Sequence, residues 1–143
     1  MSVNGGKHLQ KFTDFTLGSR LTAVIPCIIS FPMTVCFVEL ESFTAEVLRV
    51  ANDEALRQFE AELAANPEAG DLIRQSGGLR KARMKLPGRG KSGSARVIYL
   101  WLPKARRFVL FMFYTKAKQS DIPPALLARL RTAVATIKAH YET

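Results

Sequence analysis

Nine side chains in the middle of the chain carry the groups that could do chemistry. Lys81, Arg83 and Lys85 alternate through one stretch, Arg89 and Lys91 follow in a glycine-rich run, Arg96 opens an apolar segment, and Tyr114, Lys116 and Lys118 close the next one. If the first three stand on a strand, they share one face with cations roughly 6 to 7 Å apart, comparable to phosphates along a nucleotide backbone. Guanidinium groups offer planar paired donors to phosphate oxygens, whereas ammonium groups act as point charges. Arg96 is the one charge in SARVIYLWL, and a half-buried arginine is rare without a partner or a purpose. A salt bridge to an acid from the helical half is the structural alternative for it.

Pro87 to Gly93, PGRGKSG, lacks the complete phosphate-loop pattern. It also precedes a strand where that motif requires a helix, which excludes a nucleoside triphosphatase of that type. What is left is a loop able to carry Arg89 and Lys91 to a phosphate. The basic half has no acid pair or histidine cluster, and His8 and His140 are remote from these motifs. No metal site and no cofactor is therefore expected. Cys27 and Cys36 lack metal-ligand spacing and read as buried thiols, which suits a cytoplasmic protein.

The surrounding charge follows the same division. Between Leu72 and Ser120 there are thirteen Lys or Arg and no Asp or Glu, whereas residues 33 to 71 carry nine acids against two bases. The formal charge is +9 over 143 residues, with a hydrophobic fraction of 48% and nine Phe. One folded domain with a real core follows, and its basic half should attract a polyanion, nucleic acid before an acidic protein.

The elements that must hold the cations read as three consecutive strands, Leu79 to Leu86, Ala95 to Leu102 and Arg107 to Thr115. The first places Leu79, Lys81, Arg83 and Lys85 on one face and Arg80, Ala82, Met84 and Leu86 on the other. The second places Arg96, Ile98, Leu100 and Leu102 together. The third, RFVLFMFY, is apolar enough to be buried on both faces. Upstream, Thr34 to Glu39 reads as a short strand, and Ser42 or Thr44 as the cap of a short helix. Asn52-Asp53 caps an amphipathic helix to Ala65 that Asn66-Pro67 ends. Residues 67 to 78 read as a connection in which Gly77-Gly78 make a turn. A last helix starts at Asp121, with Pro123 and Pro124 in its first turn and Leu126, Leu127, Leu130, Val134 and Ile137 as its apolar stripe.

Residues 1 to 32 show no sustained period. They read as an atypical extension, disordered or loosely packed, or as sequence upstream of a natural start at Met33. Leu21 to Val38 is a charge-free run of 18 residues, but Pro26 and Pro32 interrupt it, so no membrane segment or signal peptide is expected.

Four pieces, FVELESFT from Phe37, NPEAGDLI from Asn66, GGLRKARMKLPGRGKSGSARVIYLW from Gly77 and FYTKAKQSDIPP from Phe113, occur in an order and spacing that is fairly specific. From Met33 to about Ala133 the chain resembles the RelE/HigB-like toxins of bacterial type II toxin-antitoxin systems. The resemblance implies an α+β domain: two N-terminal helices packed on a small, mostly antiparallel sheet, then a C-terminal helix, with the helices on one side. It implies an endoribonuclease that cleaves mRNA, often on the ribosome, and that a helix-turn-helix antitoxin neutralises. It places Lys81, Arg83 and Lys85 on the cationic strand, makes Arg96 the strand-borne arginine, and puts Tyr114, Lys116 and Lys118 at the last strand's end. For the family's terminal tyrosine only Tyr141 is available, and the general base has no fixed counterpart.

Such an enzyme works without metal, activating the ribose 2′-hydroxyl as internal nucleophile. Arg96 and Arg83 would then stabilise the phosphate, Lys81 or Lys116 would accept the proton, and Tyr114 would orient a base or assist proton transfer. Lys85, Arg89, Lys91 and Lys118 would bind RNA. A non-catalytic nucleic-acid or ribosome-binding protein, a ParE-like toxin directed at gyrase, and an inactive toxin are the competing readings.

Overall fold

The computed structural model describes residues 21–30, 33–88, 93–116 and 121–142, with residues 21–30, 33 and 34 described by their backbone. In chain order the elements are β1 Leu21–Ser30, β2 Met33–Leu40, α1 Glu41–Val50, α2 Asp53–Ala65, β3 Asp71–Leu72, β4 Arg80–Met84, β5 Ala95–Leu102, β6 Arg107–Thr115 and α3 Pro124–Glu142. Among the described residues the strands form one mixed sheet in the order β1-β2-β6-β5-β4-β3. Only the β2–β6 neighbours are parallel, and the other pairs run antiparallel. The protein is therefore α+β with a mostly antiparallel sheet.

The alternation in β4 and β5 sorts the side chains to two faces, and both faces are covered. On one, Phe43 and Val47 of α1 and Leu56, Phe59 and Leu63 of α2 pack against Phe37, Ala82, Met84, Val97, Tyr99, Phe108 and Phe113. Aromatic rings carry much of this contact: Phe37 stacks on Phe108 at 4.8 Å between centroids, and Trp101 leans on Phe108 at 4.4 Å. Such pairs add stabilisation beyond the area they bury. On the other face, Leu130, Ala133, Val134 and Ile137 of α3 cover Leu79, Ile98, Leu100, Leu102, Val109 and Phe111. This corrects the expectation of helices on one side. β6 at the centre is buried on both faces, so a second apolar surface needs cover, and the Leu/Val/Ile stripe of α3 supplies it.

Several local readings change too. α1 starts at Glu41 after Leu40, with no side-chain cap; Thr44 instead donates to the buried Glu39 carboxylate at 2.7 Å. Asn52 caps α2 as its side chain accepts from the Ala55 N–H at 2.8 Å. The connection 67–78 contains β3, and α3 begins three residues later than expected, at Pro124, where the missing N–H costs nothing. Gly77 and Gly78 do make a turn, at φ +85° and +121°. Leu21–Ser30, where the sequence shows no period, pairs along β2 with a register shift between Ile25 and Ile28, at Pro26-Cys27. A proline inside a strand is tolerated at such a shift on a sheet edge, and it breaks the alternation by which strands are read. Residues 1–20 lie outside the described residues. Among the described residues no helix is long and apolar enough to cross a membrane.

Candidate active site

The ladder registers bring the sequence candidates together. Arg83 of β4 lies opposite Arg96 of β5, and Arg96 lies opposite Tyr114 of β6. Directly opposed residues share a face, about 5 Å apart at each step. The three thus form a row across the sheet on the face that α3 partly covers. Lys81 stands two residues along β4 from Arg83, opposite Ile98. Tyr114 belongs to the same buried cluster as Leu130, Ala133, Val134 and Ile137 of α3, whereas Arg83 at the other end of the row is exposed.

A bulge is what delivers Tyr114 to the row. The β5–β6 register passes from Ile98–Met112 to Tyr99–Leu110, so Phe111 is an extra residue. Counting by twos from Phe108 and Leu110 would put Tyr114 with them against α1 and α2. With the extra residue, Phe113 keeps that face and Tyr114 joins Arg96.

The row is only partly committed to internal partners. Arg83 and Lys85 are exposed, as is Lys116 beyond the end of β6. Arg96 is half-buried and donates from Nη1 to the Ser94 hydroxyl at 3.2 Å; among the described residues it makes no ion pair. The salt-bridge alternative for Arg96 thus finds no support there. Arg80, on the opposite face, is the arginine held structurally, donating to the Glu68 and Gly70 carbonyls at 3.0 and 3.2 Å.

Tyr114 is 5% exposed, and its hydroxyl is buried without a hydrogen-bond partner among the described residues. Burial, and then the Asp121 carboxylate, push its pKa up, while Arg96 pulls the other way. The phenol therefore keeps its proton and forms the floor of the row. An unpaired buried hydroxyl is unusual and marks the place as polar without being satisfied.

Sequence reasoning did not single out Asp121. Its carboxylate Oδ1 lies 3.6 Å from Lys81 Nζ and accepts from the Ile122 N–H at 2.9 Å. That hydrogen bond first, and Lys81 second, hold its pKa below the usual carboxylate value. A signal was present in the chain: the acid-free stretch is bracketed by Asp71 and Asp121, and both return to Lys81, Asp71 by standing opposite it in the β3–β4 ladder.

The other candidates divide in two. Arg89, Lys91 and Lys118 lie outside the described residues. Tyr141, the stand-in for a terminal tyrosine, is at the far end of α3, with the Arg107 guanidinium 4.7 Å from its ring centroid. Since Arg107 begins β6 and Tyr114 lies near its end, Tyr141 does not join the row. No family model matches the chain.

Proposed function

We propose that this protein is a toxin of the RelE/HigB kind, a metal-independent mRNA endoribonuclease that acts in the cytoplasm, on the ribosome or on free message, and is neutralised by a cognate helix-turn-helix antitoxin. The observation that carries this reading is the cross-strand row Arg83–Arg96–Tyr114 with Lys81 beside it. Two guanidinium groups held on adjacent strands suit the oxygens of one phosphodiester, whose charge grows as the 2′-oxygen attacks. Lys81, Lys85 and Lys116 extend the cationic surface along the path of the backbone.

Cleavage of a message by Arg96→Ala, checked for fold by circular dichroism, is the direct test. Loss of one preorganised donor to the transition state should slow cleavage by about 3 kcal/mol, roughly 100-fold. Wild-type cleavage by Arg96→Ala would remove its assigned role. The buried Tyr114 hydroxyl favours one second reading, a non-catalytic RNA- or ribosome-binding protein, because a binding surface needs no group at its floor to react. Products decide between the two: a 2′,3′-cyclic phosphate supports the nuclease, and salt-sensitive binding without cleavage supports the module.

A further inference from the structure

Every candidate in the row is a donor or a positive charge, yet a 2′-hydroxyl nucleophile needs an acceptor for its proton. Tyr114 does not meet that need, since its hydroxyl is buried, and burial first and the Asp121 carboxylate second keep it protonated against the pull of Arg96. Lys81 already engages a carboxylate. An ionised carboxylate is acceptor-only, and the structure brings one to the edge of the row from the turn that leads into α3.

We infer that Asp121 is the proton acceptor of the reaction, oriented by its hydrogen bond from the Ile122 N–H and by its ion pair with Lys81; this rests on the nuclease reading above. The carboxylate is 74% exposed, so a ribose can reach it without rearrangement of the core. In the step it supports, Asp121 takes the proton of the 2′-hydroxyl, the 2′-oxygen bonds to phosphorus, and the bond from phosphorus to the 5′-oxygen breaks. The departing 5′-oxygen takes a proton from the ammonium of Lys116, and the products are a 2′,3′-cyclic phosphate and a 5′-hydroxyl. Exchange with water then restores both groups. This replaces Lys81 as the acceptor and leaves it as the partner that places the carboxylate.

The test compares Asp121→Asn, Asp121→Ala and Asp71→Asn in the full chain, with single-turnover cleavage and RNA affinity measured separately. Asp71 controls for charge, because it also stands beside Lys81 but has no part in the step. Asp121→Asn should slow cleavage roughly 100-fold or more and bind RNA as well as the wild type or better, since a negative charge is gone. Asp71→Asn should cleave normally, and added formate or acetate should restore part of the rate of Asp121→Ala. Wild-type rates in Asp121→Asn, or a rate that falls only in step with affinity and is not restored by carboxylate, would overturn the inference while leaving the nuclease standing. A wild-type protein that binds RNA and never cuts it would overturn both.

Discussion

Two tyrosines show how differently the same side chain can be used in one sheet. Tyr99 points towards α1 and α2, fully buried, with its hydroxyl 2.8 Å from the Pro67 carbonyl oxygen and 2.7 Å from that of Ala69. One proton serves two carbonyls, so the hydroxyl pins the turn after α2. Tyr114, on the other face, buries its hydroxyl with no such partner among the described residues. The same deletion should therefore act in opposite directions. Tyr99→Phe should cost about 1 to 2 kcal/mol in urea unfolding, since two partly buried carbonyls lose their donor, whereas Tyr114→Phe should be neutral or stabilising by up to about 1 kcal/mol. An equal loss in both would show that Tyr114 has a bonding role of its own.

Their titration gives the alkaline limit a sign. Burial pushes the Tyr99 pKa from 10.0 up to about 12, with Arg80 opposing and Glu68 adding to the rise. Above pH 10 the unfolded chain releases this proton while the folded one retains it, so the contribution is intact below pH 10 and disappears by about pH 12. Tyr99→Phe should flatten the fall in stability across that interval, leaving the smaller part that Tyr114 contributes.

At the scale of elements, the short strand β3 depends on a glycine. Gly70 has φ +82°, and a Cβ there would collide with the Lys81 carbonyl oxygen and come within 2.8 Å of the Ala82 Cα. The backbone of the turn must lie this close for Asp71–Leu72 to pair with Arg80–Lys81 and for Arg80 to reach the Gly70 carbonyl. Gly70→Ala should thus cost about 1 to 3 kcal/mol, from strain and from separating β3 from β4. Because β4 carries Lys81 and Arg83, the variant should also bind RNA less tightly. A melting temperature equal to that of the wild type would show that the turn relaxes without effort.

The second element of interest is the bulge at Phe111. It lets one strand supply Phe108, Leu110 and Phe113 to one core and Val109, Phe111 and Tyr114 to the other. Bulges recur where a strand must re-aim a side chain, and here the re-aimed residue is the tyrosine beside Arg96.

Over the whole molecule, charge is segregated by face and by half. Glu41, Asp53, Glu54 and Glu62 of α1 and α2 are exposed on the side away from the cationic row. A polyanion should be steered to the row and repelled from the helices. RNA binding should weaken linearly with the logarithm of salt concentration, and removing one phosphate contact should lower that slope by about 0.7 for a single strand. Arg83→Ala should show this decrease, and Arg57→Ala, exposed in α2, should not. Equal slopes in the two would place RNA elsewhere on the surface.

The strands β4, β5 and β6 and the faces of Lys81, Arg83 and Arg96 were legible in the sequence, because period-two alternation is a local property that each strand carries in its own residues. The amphipathic α2 and its Asn52 cap were legible for the same reason. The tertiary structure decided the side on which α3 docks, the face that Tyr114 takes, and the meeting of Asp121 with Lys81 across forty residues of chain. Those outcomes depend on a bulge and on packing between segments far apart in sequence, and no window of the chain contains both partners.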